Sequence, residues 1–192
     1  MKKILLVKGN PRRDGYTSRL GEKLLEGAEA AGHRTDVLSL VNLDLQVCTG
    51  CMACQTRERC IIRDDDIEQV VDAVLWADVL VLATPTHWGN MSSLMLRMFE
   101  RLFGFLIKER PGRTPVPLNA KGREAVFITA CSTAWPWNWL FNQSRAVMSR
   151  LKEICCYSGI SATDKLVLPG TISLDDIPQK TLAKAEKMGG RL

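Results

Sequence analysis

Apolar and polar positions alternate in blocks along the chain, and each block has the period of one kind of secondary structure. Residues 3–7 and 79–83 are apolar throughout and rich in branched side chains, which is typical of strands buried on both faces of a sheet. Further strands are predicted at residues 34–40, 125–130 and 164–168. Five strands are therefore expected.

Amphipathic helices are predicted between these strands. The apolar side chains of residues 17–31 share one helical face, and Gly32 supplies a stop. Residues 67–75 have the i, i+3, i+4, i+7, i+8 spacing of a second helix, and Asp65 and Glu68 stand at capping-box separation at its start. The remaining predicted segments are helices at residues 91–102, at 138–157 and from Pro178 to near 189–190, and an exposed Pro- and Gly-rich loop at 108–122.

Strands and helices alternate along the whole chain. Such an order implies a parallel sheet that is covered by helices on both faces and joined by right-handed crossovers. No internal repeat and no low-complexity segment interrupts the pattern, and 192 residues are enough for one domain to bury its own core. We therefore expect residues 1–192 to form a single α/β domain.

Composition narrows the function classes. The 26 basic residues are dispersed among 21 acidic ones, so the formal net charge of +5 does not form the basic patch of a nucleic-acid-binding protein. No segment reaches the length of a membrane span, and the apolar run after the N-terminal lysines is too short for a signal peptide. The seven cysteines are odd in number, and four of them cluster between Cys48 and Cys60, which does not match a secreted disulfide framework. We expect a cytoplasmic protein that binds neither nucleic acid nor membrane.

Three loops follow the predicted strands, and the ligand crevice of an open parallel sheet lies at such loops. The first, residues 9–18, combines glycines, the guanidinium of Arg12 and the hydroxyls of Thr17 and Ser18 at a helix start. Amides at a helix N-terminus favour a phosphate, so an anion site is predicted. The loop lacks the ending of a P-loop and the G-x-G-x-x-G of a dinucleotide site, and a plain polar turn is the alternative.

The other two loops are rich in aromatic residues. Residues 84–91 hold a proline, two aromatic rings, a glycine and an amide, a mixture that suits a flat heteroaromatic ring held by backbone contacts and stacking. No acidic partner of His87 is identifiable by spacing, so we interpret it as a packing ring rather than a catalytic base. Residues 129–139 contain three tryptophans. Three interpretations are open: the tryptophans line the ring site, they line a substrate pocket, or they form a contact between subunits.

A cysteine-rich loop is predicted at residues 47–61, the cysteine segment, and its four cysteines follow the pattern C-x2-C-x2-C-x5-C. Three thiolates at this spacing can wrap one face of an iron–sulfur cubane, and a fourth close in sequence completes the ligands of a four-iron, four-sulfur ([4Fe–4S]) cluster. Zinc is a weaker interpretation, because structural zinc sites more often use two paired knuckles that lie further apart. A reduced thiol cluster without metal is the third interpretation. Arg57 and Arg59 are the candidate counter-charges. The four cysteines are Cys48, Cys51, Cys54 and Cys60.

These loops together give the chain a family resemblance. It resembles the flavodoxin-like NAD(P)H-dependent FMN reductase superfamily, and within it the iron-sulfur flavoproteins, over residues 1–170. The resemblance is carried by residues 9–12 with Thr17 and Ser18, by residues 85–91 and by the cysteine segment before residues 64–66. It implies a flavodoxin-like three-layer sandwich, with a five-stranded parallel sheet and helices on both faces.

The resemblance also implies where an FMN cofactor binds: its phosphate on the first loop and its isoalloxazine ring on the second. Asn10, Tyr16 and His87 stand where the family commonly has serine, asparagine and tyrosine, which bears on individual contacts rather than on the cofactor. Cys131 is expected near the ring. The implied FMN-binding residues are Asn10, Arg12, Tyr16, Thr17, Ser18, Pro85, Thr86, His87, Trp88, Gly89, Asn90, Met91 and Cys131, and the implied cluster ligands are Cys48, Cys51, Cys54 and Cys60.

The function that the resemblance implies is an FMN-dependent oxidoreductase in which the flavin, and no side chain, performs the chemistry. The expected donor is NAD(P)H or ferredoxin, the acceptor a small molecule such as a quinone, oxygen or peroxide, and the assembly a homodimer or homotetramer. Two alternatives stay open: a pure electron-transfer flavoprotein fed by ferredoxin, and a redox- or metal-sensing regulator on a flavodoxin scaffold. A hydrolase has little support, because the chain has only two histidines and no nucleophile elbow.

Overall fold

The computed structural model describes all residues from 1 to 192. The five predicted strands alternate with helices as the sequence predicts. Additional elements are short helices at Cys54–Arg57 and Phe103–Leu106, strands at Ile107–Arg110 and Arg113–Pro117, and 3-10 turns at Leu40–Asn42 and Thr171–Ser173. The strands are β1 (Lys3–Lys8), β2 (Arg34–Ser39), β3 (Val79–Pro85), β4 (Ile107–Arg110), β5 (Arg113–Pro117), β6 (Glu124–Ala130) and β7 (Ser161–Leu168). The helices are α1 (Tyr16–Ala30), α2 (Cys54–Arg57), α3 (Ile67–Trp76), α4 (Ser93–Arg101), α5 (Phe103–Leu106), α6 (Trp137–Leu140), α7 (Gln143–Tyr157) and α8 (Gln179–Gly189).

The main sheet has five parallel strands in the order β2-β1-β3-β6-β7. Residues of β1 pair with β2 on one side and with β3 on the other, for example Leu6 with Val37 and with Val81. The strand order therefore changes direction between β1 and β3, and a crevice opens above this point at the carboxyl ends of the strands. The predicted five-stranded parallel sheet is confirmed.

Helices cover both faces of the sheet, because successive residues of the apolar strands point to opposite sides. On one side, Leu5 and Leu82 join a cluster of 28 buried residues with α3, α4 and α7. On the other side, Ile4 and Val81 join a cluster of 17 buried residues with α1 and α8. The predicted three-layer sandwich is confirmed, and none of its helices is long and apolar enough to span a membrane.

Residues 108–122 are not the plain loop that the sequence pattern predicts. They contain most of an antiparallel hairpin of β4 and β5, closed by a turn in which Arg110 pairs with Arg113. Pro111 stands at the position of the turn that favours proline, and Gly112 has a φ of 67°, as a type II turn requires. The Pro-Gly pair was therefore a hairpin signal.

The predicted helix 138–157 is divided into α6 and α7. Asn142 has a φ of 55° and a ψ of 34°, in the left-handed region, and this interrupts the helical hydrogen bonds. The predicted stop at residues 189–190 is early by one residue, because Gly189 belongs to α8. A Cβ atom on Gly189 would lie 1.9 Å from the Leu24 oxygen, so glycine allows α8 to approach α1 closely.

The predicted capping box of α3 is wrong. The residue that precedes the helix is Asp66, and no side chain caps it there. Glu68 instead pairs with Arg59 at 2.7 Å. Asp65 accepts a hydrogen bond from the Ile67 amide at 3.1 Å, but its carboxylate also pairs with Arg101 inside the protein. The acidic residues at the start of α3 therefore anchor the preceding cysteine segment.

Candidate functional site

A polar cavity of about 740 Å³ lies at the carboxyl ends of β1, β3 and β6. Seven of the thirteen predicted FMN-binding residues line it, namely Asn10, Arg12, Tyr16, Thr17, Pro85, Thr86 and His87. The other six do not line it, namely Ser18, Trp88, Gly89, Asn90, Met91 and Cys131. The first loop and the first part of the second loop thus form one site, which we call the crevice.

Asn10 organises the first loop from within. Its Nδ2 donates to Thr17 Oγ1 at 3.0 Å, and its Oδ1 accepts from the Arg12 amide at 2.9 Å. A Cβ atom on Gly15 would lie 2.0 Å from Asn10 Nδ2, so the loop closes around the asparagine only because residue 15 has no side chain. Both polar atoms of Asn10 are therefore used inside the loop, and Arg12 remains exposed at the rim of the crevice.

The N-terminus of α1 faces the crevice with its amide donors free. The helix has no side-chain cap and no acidic residue in its first turn, so the first amides lack intrahelical acceptors. Ser18 is fully buried, and its Oγ has no hydrogen-bond partner. Thr17 Oγ1 accepts from Asn10, which leaves its own proton available for donation. Free amides, an unsatisfied hydroxyl and the helix dipole together favour an anion at this point.

The second loop is a tight turn at the end of β3. His87 and Asn90 exchange backbone hydrogen bonds of 2.8 and 2.9 Å. The two residues between them have positive φ, 51° for Trp88 and 71° for Gly89, which is the type I′ arrangement. Trp88 is fully exposed as a consequence, while Met91 is buried. His87 is exposed at the crevice, so it is not the packing ring that we expected.

The third loop contributes less to the crevice than its sequence suggests. Ser132 lines the cavity, whereas Trp135, Trp137 and Trp139 are exposed to solvent outside it. Cys131 is buried, and its Sγ donates to Gln143 Oε1 at 3.1 Å. The tryptophans therefore form a surface beside the crevice and do not wall it.

A fourth segment that sequence reasoning missed also walls the crevice. Thr171, Ile172 and Asp175 line the cavity, although they lie beyond β7 and far from the other loops in sequence. The Tyr16 hydroxyl donates to the Leu174 oxygen at 2.7 Å and holds this segment against α1. An Arg19–Asp176 ion pair of 2.5 Å adds a second tie. The Pro169-Gly170 pair before this segment indicates a turn, but nothing in the sequence indicates that the residues after the turn lie beside the crevice.

The four predicted metal-ligand cysteines lie around a second, smaller cavity of about 160 Å³. We call this cavity the cysteine site. No three His, Cys, Asp or Glu side chains lie close enough together to hold a single metal ion. The Ala53 amide and the Thr49 hydroxyl lower the pKa of the exposed Cys51 thiol, whereas burial raises the pKa of Cys54. The lining includes Cys48, Cys51, Cys54 and Cys60 together with Gly50, Met52, Arg101 and Phe103.

Close packing and hydrogen bonds fix this segment to the end of α4 and to the hairpin. A Cβ atom on Gly104 would lie 2.4 Å from the Cβ atom of Cys54, so the segment packs directly on the backbone there. The side-chain Nε2 of Gln55 donates a hydrogen bond to the Ile107 carbonyl oxygen at 3.2 Å, and its Oε1 accepts one from the Glu109 backbone amide at 2.7 Å. Hydrogen bonds to Cys60 and Asp65 raise the pKa of Arg101, although burial opposes them. Arg101, and not the predicted Arg57 or Arg59, is the cation at the cysteine site.

The remaining cysteines lie away from both cavities. Cys155 is buried in the core, and burial raises its pKa to about 12. Cys156, the next residue, is exposed.

Comparisons with known proteins agree with this architecture. A family model described as flavodoxin-like fold matches residues 2–192. An iron-sulfur flavoprotein of Methanocaldococcus jannaschii is 27% identical over 114 residues, 57% of this chain and 58% of that protein. The iron-sulfur flavoprotein of Methanosarcina thermophila is 29% identical over 99 residues, 52% of this chain and 51% of that protein. The chain therefore spans about half the length of the curated relatives that it matches.

Solved structures share the fold over nearly the whole chain. An NAD(P)H:quinone oxidoreductase from Methanothermobacter marburgensis has a TM-score of 0.82 at 16% identity, and the match covers 98% of both chains. An FMN-dependent NADH-azoreductase from Bacillus anthracis, in complex with FMN, has a TM-score of 0.74 at 16% identity, covering 100% of this chain and 97% of the other. At these identities the likeness describes the fold.

Proposed function

The chain belongs to the flavodoxin-like fold family, and from that premise we propose that it is an FMN-dependent oxidoreductase with a nicotinamide electron donor. The observation that carries the proposal is the uncapped N-terminus of α1, which faces a 740 Å³ crevice with Arg12 at its rim. The free backbone amides and the dipole of such a helix end are enough to bind an anion. The quinone oxidoreductase and the azoreductase that share this fold support the same class of activity.

Each part of the crevice has a separate task in this proposal. The amides of Thr17 and Ser18, the Thr17 hydroxyl and the Arg12 guanidinium hold the phosphate, while Asn10 keeps the loop closed around it. Pro85, Thr86 and His87 line the crevice and would contact the ring. When bound, FMN supplies the redox chemistry by taking a hydride from a nicotinamide and passing electrons to an acceptor. The chain's residues position the reactants and exclude water, and none of them needs to act as a base.

We also propose that the cysteine site holds a four-iron cluster. The donor set suits it, because four thiols line one cavity while no three of them are gathered around one ion-sized point. A tetrahedral zinc site needs four ligands within about 2.3 Å of one ion. Arg101 Nε donates to Cys60 Sγ at 3.3 Å, and hydrogen bonds to sulfur are a feature of protein iron–sulfur sites. The names of the curated relatives support the same cofactor.

The second candidate function is electron transfer from a reduced protein such as ferredoxin. The observation that favours it is the position of Cys51 and Gly50, which are exposed and open the cysteine site to the surface. A protein donor can therefore approach this site without entering the crevice. Oxidation of NADH or NADPH by the purified, loaded protein with a quinone acceptor supports the reductase. If the loaded protein oxidises neither NADH nor NADPH with any acceptor but is still reduced by ferredoxin, the result supports the second candidate.

We propose in addition that two copies of the chain associate beside the crevice. Trp88, Trp137, Phe141 and Ile172 are exposed apolar side chains, Trp137 stacks on Phe141, and Ile172 lines the crevice. Exposed apolar surface of this kind marks an interaction site. A homodimer or homotetramer would cover it. Light scattering of the purified protein tests the proposal, and a strictly monomeric protein at micromolar concentration contradicts it.

The test of FMN binding compares two adjacent arginines. Arg12 lines the crevice, whereas Arg13 is exposed and does not. A hydrogen bond to a charged group contributes about 1.5 to 3 kcal/mol, so Arg12→Ala is expected to raise the FMN dissociation constant about 10- to 100-fold. Arg13→Ala is the control and should leave it within about twofold. Equal FMN dissociation constants for the wild type and the two variants, or no flavin binding by the wild type, would refute the role of Arg12 in binding the FMN phosphate.

The cluster has its own test. Iron and sulfide are measured after anaerobic purification and reconstitution of the wild type, Cys54→Ala and Cys156→Ala. We expect about four irons per chain in the wild type and in the Cys156 control, since Cys156 lies outside the cysteine site, and a large loss in the Cys54 variant. A wild type that retains no iron after reconstitution would exclude the cluster.

A further inference from the structure

Arg101 is the most completely enclosed charged side chain beside the cysteine site. It is the last residue of α4, and its side chain is 0% exposed, as is that of its partner Asp65. A buried charge is expensive unless it is paired and all its donors are satisfied. The reason for placing a guanidinium here must therefore lie in what it contacts.

All five N–H donors of the Arg101 guanidinium have acceptors. Nε donates to Cys60 Sγ at 3.3 Å. Nη1 donates to the Gln46 oxygen at 2.9 Å and to one carboxylate oxygen of Asp65. Nη2 donates to the Ile62 oxygen at 2.8 Å and to the other Asp65 oxygen at 3.2 Å. An arginine has five donors in a fixed planar fork, so this site uses the whole group.

The acceptors come from both ends of the cysteine segment. Gln46 lies just before Cys48, and Ile62 and Asp65 lie just after Cys60. Little regular structure holds the segment between them, because its single helix, α2, has only four residues. One side chain from a core helix thus joins the two ends of the segment and contacts one of its thiols.

We propose that Arg101 is the positioning residue of the cysteine site: its guanidinium closes the segment from residue 46 to residue 62 and presents Cys60 to the cavity. The part of the inference that concerns a cluster rests on the proposed function, whereas closure of the segment does not. Around a cluster held by four thiolates, the Nε–H bond and the positive charge also stabilise the reduced form, since both offset negative charge on the sulfurs.

An ordinary structural ion pair makes a different prediction. Replacing a buried pair with apolar residues of similar volume is often neutral or stabilising for a protein. If Arg101 and Asp65 serve stability alone, the double variant Arg101→Met with Asp65→Leu should fold and keep the segment closed. If Arg101 positions the segment, the same variant should fold with the segment open.

The experiment has two readouts on the full chain. Hydrogen–deuterium exchange of the iron-free protein reports closure of residues 46–62, with β1 and β3 as the internal reference. Iron retention after anaerobic reconstitution, and the midpoint potential where iron is retained, report the cysteine site itself. The proteins are the wild type, Arg101→Gln, Arg101→Lys, the double variant and Arg97→Gln. Arg97 is the matched control, since it lies one turn earlier on α4 and donates to the Leu45 oxygen at 3.0 Å without contacting a thiol.

We expect faster exchange of residues 46–62 in all three Arg101 variants, an unchanged sheet, and a loss of iron affinity of about 10- to 100-fold, as for other residues that orient metal ligands. Lysine keeps the charge but not the fork, so Arg101→Lys should open the segment and lower the potential less than Arg101→Gln does. Arg97→Gln should retain iron like the wild type. Where a single variant does not fold, the double variant decides.

The proposal would be overturned if residues 46–62 of the folded double variant exchanged hydrogen as slowly as in the wild type. Full iron retention in any folded Arg101 variant would also overturn it. A segment that opens in the variants, together with a wild type that takes up no iron, would support the positioning role and refute the proposed cluster.

Discussion

The Ser92 hydroxyl donates a hydrogen bond of 2.5 Å to the carbonyl oxygen of Gly9. Ser92 Oγ also accepts a hydrogen bond from the Met95 amide at 3.2 Å and so caps α4. The Ser92 amide in turn donates to Thr84 Oγ1 at 2.9 Å. One buried serine therefore sets the distance between the loop that follows β1 and the loop that follows β3, the two loops that form the proposed FMN site.

Ser92→Ala is expected to destabilise the protein and weaken flavin binding together. Loss of the cap costs about 1 kcal/mol, and the buried Gly9 oxygen loses its donor at a further cost of about 1 to 2 kcal/mol. Urea denaturation and flavin fluorescence measure the two effects. Ser93→Ala is the control, because Ser93 is the exposed neighbour on the same helix. Unchanged flavin affinity in a destabilised Ser92 variant would limit this serine to a capping role.

Tyr16→Phe tests the wall that the sequence did not predict. The variant loses the 2.7 Å hydrogen bond to the Leu174 oxygen, which contributes about 1 kcal/mol. Because this bond holds residues 171–175 beside the crevice, we expect faster dissociation of FMN in stopped-flow fluorescence. Tyr157→Phe is the control, since Tyr157 is exposed on α7 and lies outside the crevice. The same dissociation rate in all three proteins would show that the segment does not confine the ligand.

The sheet and the first loop could be predicted from the sequence because their signals are local. The apolar run of β1 fixes a buried strand by its composition, and the polar residues that follow it then stand at the carboxyl edge of the sheet. Arg12 and Thr17 were found in this way, whereas Asn10 was identified through the family resemblance. The hairpin of β4 and β5 was readable from Pro111-Gly112, a pair whose turn preference we did not use.

The contacts that complete each site were not predictable, since they join residues far apart in the chain. Arg101 lies 36 residues from Asp65 and 41 from Cys60, and nothing in the sequence distinguishes it from Arg57 or Arg59. The position of Leu174 beside Tyr16 depends in the same way on where β7 ends in space. Spacing identified the four cysteines, but only the packing of α4 identifies the cation beside them.

Arg123, the residue before β6, caps the carboxyl end of α3. Its Nε donates to the Val74 and Ala77 oxygens at 3.0 and 2.9 Å, and its Nη2 to the Leu75 oxygen at 3.1 Å. A cation is favoured at this end of a helix dipole. Arg123→Met is therefore expected to lower the free energy of unfolding by about 1 to 3 kcal/mol without changing flavin affinity.

The control for Arg123→Met is Arg113→Met, because Arg113 lies exposed in the hairpin of β4 and β5. It should alter the free energy of unfolding by less than about 0.5 kcal/mol. Equal unfolding curves for the two variants in urea would show that the contacts of Arg123 at the end of α3 add nothing to stability.

The Asp65–Arg101 pair makes stability depend on pH in a defined direction. The hydrogen bond from Arg101 lowers the pKa of Asp65, although burial opposes the shift. A carboxyl group whose pKa is lower in the folded state stabilises the protein above its unfolded pKa, about 3.9 for aspartate, and loses this contribution as the pH falls through the folded value. Asp65→Asn leaves the buried Arg101 charge without its partner and should cost about 3 to 5 kcal/mol near neutral pH.

The difference in unfolding free energy between wild type and Asp65→Asn should therefore be largest above about pH 5. It should shrink as the pH falls below about 4, because Asp65 is then protonated first in the unfolded chain and, at lower pH, in the folded protein as well. Urea denaturation across this range measures it. Asp72→Asn is the control, since Asp72 is exposed on α3, and its small effect should not vary in this way. A difference for Asp65→Asn that stays constant from neutral to acidic pH would show that the Asp65 carboxylate carries no pH-dependent stabilisation of the cysteine segment.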